Sequence, residues 1–62
     1  MTTARLTVER VRGVGHAVTL DAVLSGEGTA LREYHVVVAS VESVARARAS
    51  KVAVDLGWEV AE

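Results

Sequence analysis

The chain has no cysteine, no proline and no phenylalanine among its 62 residues, and its only aromatic side chains are Tyr34 and Trp58. Without cysteine it cannot form a disulfide or a cysteine-ligated zinc site, which commonly stabilise chains this short. Without proline, no strand edge has that form of protection against pairing with another strand. With two aromatic residues, little area is available for a large hydrophobic core.

Long apolar runs and an excess of one charge are also missing. No apolar run approaches the length of a membrane span, and the first residues, M-T-T-A-R-L-T-V, lack the apolar segment of a signal peptide. The formal net charge is −1, so bulk electrostatics favours neither nucleic acid nor an anionic membrane. These features predict a soluble, cytoplasmic protein with no membrane contact.

What the chain does contain is mainly valine and alanine. Half of its residues are apolar, but alanine contributes little buried area at about 25 cal/mol per Å². A single domain over residues 1–62 buries a modest share of its surface and is marginally stable on its own. We therefore expect a protein partner, either a second copy or a larger protein, to supply part of the missing interior.

One stretch, residues 40–56, has helical periodicity. Ser40 is predicted as the N-cap, alanine is frequent, and Gly57 can take the left-handed conformation that ends a helix. The predicted core face of this helix comprises Val41, Ala45, Ala49, Val52, Ala53 and Leu56.

The opposite side of the helix carries small or apolar residues where an ordinary surface helix is charged. Two interpretations are open: small residues on a solvated face, or a second close-packed contact with another chain. Trp58 is expected to pack either on the helix end or in a groove between subunits. The predicted partner-binding residues are therefore Ser43, Ala47, Ser50, Val54 and Trp58.

Three strands are predicted before the helix, at residues 4–12, 16–24 and 31–39, with glycine-containing turns at 13–15 and 25–29. Matching of apolar faces pairs Leu6 with Leu20 and Leu20 with Val36. In this register Tyr34, Val36 and Val38 lie on the face that the helix covers, and the other face of the sheet is expected to be mixed apolar and polar. The predicted fold is α+β: a three-stranded antiparallel β-meander followed by one packed helix, with a possible short fourth strand at 57–61.

Residues with catalytic or metal-binding chemistry are few. In the predicted register Asp21 faces His35, while His16 lies on the other face of the sheet. No nucleophile pattern accompanies the histidines, and a zinc site without cysteine needs at least three His, Asp or Glu ligands. We therefore predict a non-enzymatic protein with no cofactor, metal or small-molecule ligand.

The favoured function is a small protein-interaction module that is homo-oligomeric or docks on a larger protein. The alternative is a nucleic-acid-binding accessory protein. It has less support because Arg46 and Arg48 project to opposite borders of the helix, and because the sheet lacks paired aromatics for base stacking. The cations that would serve this alternative are Arg10, Arg12, Arg46, Arg48 and Lys51.

Overall fold

The structure, a computed structural model, describes residues 2–26 and 28–61. Its elements are β1 (Thr2–Val11), β2 (Gly15–Gly26), β3 (Thr29–Ala39), α1 (Glu42–Leu56) and β4 (Trp58–Ala61). The strands form one sheet of order β3-β2-β1-β4, and α1 packs across one side of it. We call the side under the helix the inner face and the opposite side the outer face. This architecture confirms the predicted α+β fold.

The last segment forms the fourth strand of the sheet. β1, β2 and β3 form an antiparallel meander, whereas β4 pairs parallel to β1, with Thr2 opposite Trp58. The chain therefore leaves edge strand β3, crosses over β2 and β1 as a helix, and returns as the other edge strand. A parallel partner needs such a crossover because a tight turn can only join antiparallel strands.

The first hairpin has the predicted register. Leu6 pairs with Leu20, and Val8 with Val18. Gly13 (φ 82°) lies in the connecting turn and Gly15 (φ 121°) opens β2; both need a backbone conformation that other residues rarely adopt.

The predicted register of the second hairpin is wrong by one residue. Leu20 pairs with His35 and not with Val36. Because side chains alternate along a strand, this one-residue shift turns every β3 side chain to the opposite face. The predicted turn at 25–29 is also too long, since β2 reaches Gly26 and β3 begins at Thr29; its residue Glu27 lies outside the described residues.

The helix begins later than predicted. Val41 occupies the N-cap position with no side-chain hydrogen bond, so the assignment of Ser40 as the cap is wrong. At the other end the prediction is confirmed, because Gly57 (φ 75°) donates its backbone N–H to the carbonyls of Ala53 and Val54. The helix has 15 residues, and no helix in the described part of the chain is long and apolar enough to cross a membrane.

The core lies between the helix and the inner face, and it is thin. Leu20 and Val18 are the largest side chains that are fully buried. Of the predicted core face of the helix, the three alanines are buried and Val52 is half-buried, whereas Val41 and Leu56 are exposed. The buried hydrophobic residues are Ala4, Val18, Leu20, Ala22, Ala45, Ala49, Ala53 and Trp58.

Candidate interaction surface

A group of exposed apolar side chains lies on the outer face of the sheet, along β3 and β2. Val36 is 60% exposed, Tyr34 56%, Val23 53% and Val38 43%. The register places Val38 beside Ala17, which is half-buried, and so joins these residues into one surface. We call Ala17, Val23, Tyr34, Val36 and Val38 the outer apolar patch.

On the side of β1, this patch is bordered by polar side chains of that strand. Thr7 lies beside Thr19 of β2, which in turn lies beside Val36 of β3, so the three form one row across the sheet. Arg5 and Glu9 stand two positions to either side of Thr7 on the same face. Both are exposed, and neither forms an ion pair within residues 2–26 and 28–61. We call Arg5, Thr7 and Glu9 the β1 flank.

An ordered ion pair joins β2 and β3 within the patch, between Val23 and Tyr34. The Arg32 guanidinium donates through Nε and Nη2 to the two carboxylate oxygens of Asp21, each at 2.9 Å. It also lies 5.7 Å from the centre of the Tyr34 ring, within cation–π range. The hydrogen bonds from Arg32 hold the pKa of Asp21 below its ordinary value, against partial burial, which raises it. The predicted pairing of Asp21 with His35 is therefore wrong.

The predicted partner-binding residues of the helix are accessible, but most of them are small. Ser43, Ala47, Ser50 and Val54 are all exposed, and Val54, at 74%, is the largest apolar side chain among them. Trp58 is 9% exposed and belongs to the core, so little of its surface is left for a partner. The outer apolar patch offers more apolar side chains than this helix surface does.

The indole of Trp58 reaches across the whole sheet. Trp58 is in β4 and His35 in β3, at opposite edges, yet their rings meet edge to face with centroids 5.3 Å apart. His35 also donates from Nε2 to the Glu33 carboxylate at 3.2 Å. His16 donates from Nδ1 to the Ser40 carbonyl at 3.3 Å. Both histidines lie on the inner face, which corrects the prediction that they lie on opposite faces.

The cations of the nucleic-acid alternative are dispersed, and three of them already have partners. Arg46 bonds Glu42 at 3.0 Å and Lys51 bonds Asp55 at 3.3 Å. Arg48 donates to the Val38 carbonyl at 3.5 Å. Arg10 and Arg12 border an open depression beside the first turn. A basic stripe along which a phosphate backbone could run is therefore not formed by these five residues.

No cluster of three potential metal-binding side chains occurs among the described residues. The half-exposed pair of Glu33 and His35 has an acid and a base within hydrogen-bonding distance, but no hydroxyl or thiol is bonded to it. This pair is therefore accounted for by its packing on Trp58. The chemistry of the surface is apolar contact bordered by charge.

The three residues that dominate the outer apolar patch are the ones that sequence reasoning assigned to the core. Tyr34, Val36 and Val38 are apolar and strand-forming, and in the predicted register they face inward. The signal that could have found the true register is the unbroken run Val36-Val37-Val38. It shows that both faces of β3 are apolar at this point, so one apolar set faces outward in either register.

No family model, curated protein or solved structure matches this chain. Its function is therefore argued from the geometry of the surface.

Proposed function

We propose that the protein is a non-enzymatic protein-interaction module that associates with itself through the outer face of its sheet. The observation that carries the proposal is the exposure of Tyr34, Val36 and Val38 in a continuous row along β3. Contiguous apolar patches of this kind on a small soluble chain mark interaction sites, whereas scattered exposed residues need no explanation.

The thin core supports a need for association. Five of the eight buried hydrophobic residues are alanines, each of which contributes little transfer free energy. The chain has no cysteine for a disulfide, and no cluster of three potential metal ligands occurs among residues 2–26 and 28–61. Covering the outer apolar patch would give the sheet apolar packing on both faces and supply the interior that the chain alone lacks.

The shape of the chain points the same way. Its radius of gyration is 12.3 Å, whereas a compact domain of this length has about 10.6 Å. Its extents are 41 × 19 × 17 Å, so it is a narrow slab with a large outer face for its volume. Two such slabs stacked through their outer faces form a more compact particle.

The proposal is tested by the mass in solution of two matched lysine variants. Val36→Lys puts a charge into the outer apolar patch, on an edge strand where lysine is well tolerated. Val54→Lys puts the same charge on the most exposed apolar residue of the helix. We expect sedimentation equilibrium to show the parent chain and Val54→Lys as oligomers, and Val36→Lys as a monomer with an unchanged circular dichroism spectrum.

A parent chain that is monomeric up to millimolar concentration would contradict the proposal. Dissociation by Val54→Lys alone would transfer the contact to the helix surface of Ser43, Ala47, Ser50 and Val54.

For the nucleic-acid alternative, we expect binding to nucleic acid that weakens steeply with added salt and when Arg10 and Arg12 are replaced. Docking on a larger protein and a cytoplasmic location remain predictions of the sequence.

A further inference from the structure

We infer that the occupant of the outer face is a second copy of the chain, stacked antiparallel about a twofold axis that runs along the row Val36–Thr19–Thr7. This inference rests on the proposed function and adds the arrangement of the two copies. In this arrangement each residue of the row packs on the same residue of the second copy. A residue on one side of the row packs on the residue that lies equally far on the other side in the second copy. Tyr34 of one copy therefore packs on Val38 of the other.

The area of the chain fits one such contact. A compact monomer of 6.5 kDa exposes about 3,800 Å², whereas this chain exposes 4519 Å². The excess of about 700 Å² is close to the roughly 800 Å² that each partner buries in a standard interface. A second copy on the outer face would bring the exposed area of each chain to the value expected for its size.

The charges of the β1 flank select this axis. Arg5 and Glu9 lie at equal distances on either side of Thr7, so a twofold axis along the row places Arg5 of each copy over Glu9 of the other. Two intersubunit ion pairs then form from two charges that make no close ion pair in the described part of the chain. Arg5 also lies opposite Asp21 of its own chain, where its charge helps to lower the pKa of that carboxyl. Opposite charges that meet across an interface fix the register of association.

Other twofold axes in the same plane either bring like charges together or leave Arg5 and Glu9 without partners. An axis along β2 stacks Asp21 on its own counterpart, which brings two carboxylates together. An axis between β2 and β3 leaves Arg5 and Glu9 outside the contact. The axis along the row avoids both faults, because it places Asp21 over Ala17 of the second copy and leaves its hydrogen bonds to Arg32 intact.

Charge reversal tests the arrangement. Arg5→Glu places two carboxylates together at each contact, and Glu9→Arg places two guanidinium groups together. Glu9→Arg is the cleaner variant, because Arg5→Glu also puts a carboxylate opposite Asp21 of its own chain. We expect each single variant to raise the dimer dissociation constant by about tenfold or more at low salt. The double variant Arg5→Glu/Glu9→Arg restores both pairs in the opposite sense and should return to near the parent value.

Mixing the two single variants is the sharper measurement. A chain with Glu at 5 and 9 and a chain with Arg at 5 and 9 complement each other at both contacts, so the mixture should form a heterodimer while neither variant dimerises well alone. Arg12→Glu is the control, because it reverses an exposed charge in the turn, away from the row. It should leave the dissociation constant unchanged.

Cysteine cross-linking keeps the inference testable if a charge variant fails to fold. The chain has no native cysteine, and the axis passes beside Thr19. Facing sheets pack about 10 Å apart, which is too far for a disulfide, so Thr19→Cys should be joined to its counterpart by a short bismaleimide cross-linker. Val54→Cys, on the helix, should not. A dimer that Val36→Lys dissociates, but that charge reversal leaves unchanged and Thr19→Cys does not cross-link, overturns this arrangement and leaves the proposed function standing. A chain that is monomeric throughout overturns both.

Discussion

At the scale of single residues, alanine under the indole of Trp58 shapes the core. The ring starts from β4 and meets His35 in β3, although the two strands are three interstrand spacings, or about 14 Å, apart. It can do so because Ala4 and Ala22, both fully buried, stand on the inner face of the two strands between. A larger side chain at either position would lift the ring from the sheet. The alanines that make the core thin therefore also allow the Trp58 ring to extend from β4 across β1 and β2 to β3.

Gly15 has the strictest requirement of the glycines in the described chain. A Cβ atom there would lie 2.6 Å from the Ala39 carbonyl oxygen and 2.6 Å from the Ser40 Cα, and the residue has φ 121°. Gly15→Ala is therefore expected to destabilise the fold by about 3 kcal/mol or more, of which the positive φ accounts for about 1 kcal/mol. The measurement is urea unfolding at fixed protein concentration. A chain of 62 residues has about 3–9 kcal/mol in total, so the loss is severe.

Gly13→Ala is the matched control for Gly15→Ala. Gly13 also has a positive φ (82°), but nothing lies within 4 Å of its Cβ position. It should lose about 1 kcal/mol, from backbone strain alone. Equal losses at the two positions would show that the close approach of β2 to the end of β3 does not exist.

At the scale of elements, the register of β2 against β3 decides which face of β3 is solvent-exposed. The ion pair of Asp21 and Arg32 reports on it, because it forms only if Tyr34 lies beside Asp21. Its hydrogen bonds lower the pKa of Asp21. The resulting stabilisation is present above the ordinary pKa of an aspartate and is lost as the pH falls through the lowered value in the folded protein.

We predict that Arg32→Gln raises the pKa of Asp21 toward its ordinary value, as measured by the carboxyl chemical shift in an NMR titration. His35→Gln is the control, since in the predicted but incorrect register Asp21 would face His35. In the observed register His35 is on the other face, and its replacement should leave the pKa of Asp21 unchanged. A shift caused by His35→Gln and not by Arg32→Gln would restore the rejected register.

Sequence reasoning succeeded for elements whose signals are local. Alternation of apolar residues in β1 and β2 was sufficient to place Leu6 opposite Leu20, and Gly57 was sufficient to end the helix. It failed where the signal depends on a partner strand. Three consecutive valines at 36–38 give β3 no alternation, and the two-residue connection at 27–28, which sets the pairing, cannot be distinguished in sequence from a longer turn.

The candidate site was missed for the same reason. The side chains of a strand alternate between the core and the interaction surface, so a one-residue error in register assigns core residues to the surface and surface residues to the core. Val36 and Val38 were assigned to the interior and the outer face was expected to be mixed. On the helix, where the period is unambiguous, the exposed residues Ser43, Ala47, Ser50 and Val54 were placed correctly. What the sequence could not supply was that Tyr34, Val36 and Val38 form a row of exposed apolar side chains on the outer face of the sheet.

At the scale of the whole molecule, a single helix covers one side of a four-stranded sheet, and no element of residues 2–26 and 28–61 covers the other. Antiparallel sheets can leave one face in water when that face is polar. Here the half of the outer face nearest β1 meets that condition, with Arg5, Thr7 and Glu9, whereas the half on β3 does not. By itself the molecule therefore has two layers, one helix and one sheet. A partner on the outer face would add the third layer, or the third and fourth.

If association supplies part of the interior, folding and assembly must be coupled. The melting temperature then depends on concentration, because unfolding of a dimer releases two chains. For two chains of 62 residues, a hundredfold dilution should lower the melting temperature by about 10 °C, as followed by circular dichroism. Val36→Lys should melt at a lower temperature that does not change on dilution, because its outer face cannot be covered. A parent chain that melts at one high temperature at every concentration would mean that the eight buried hydrophobic side chains, five of them alanine, are enough to stabilise the fold.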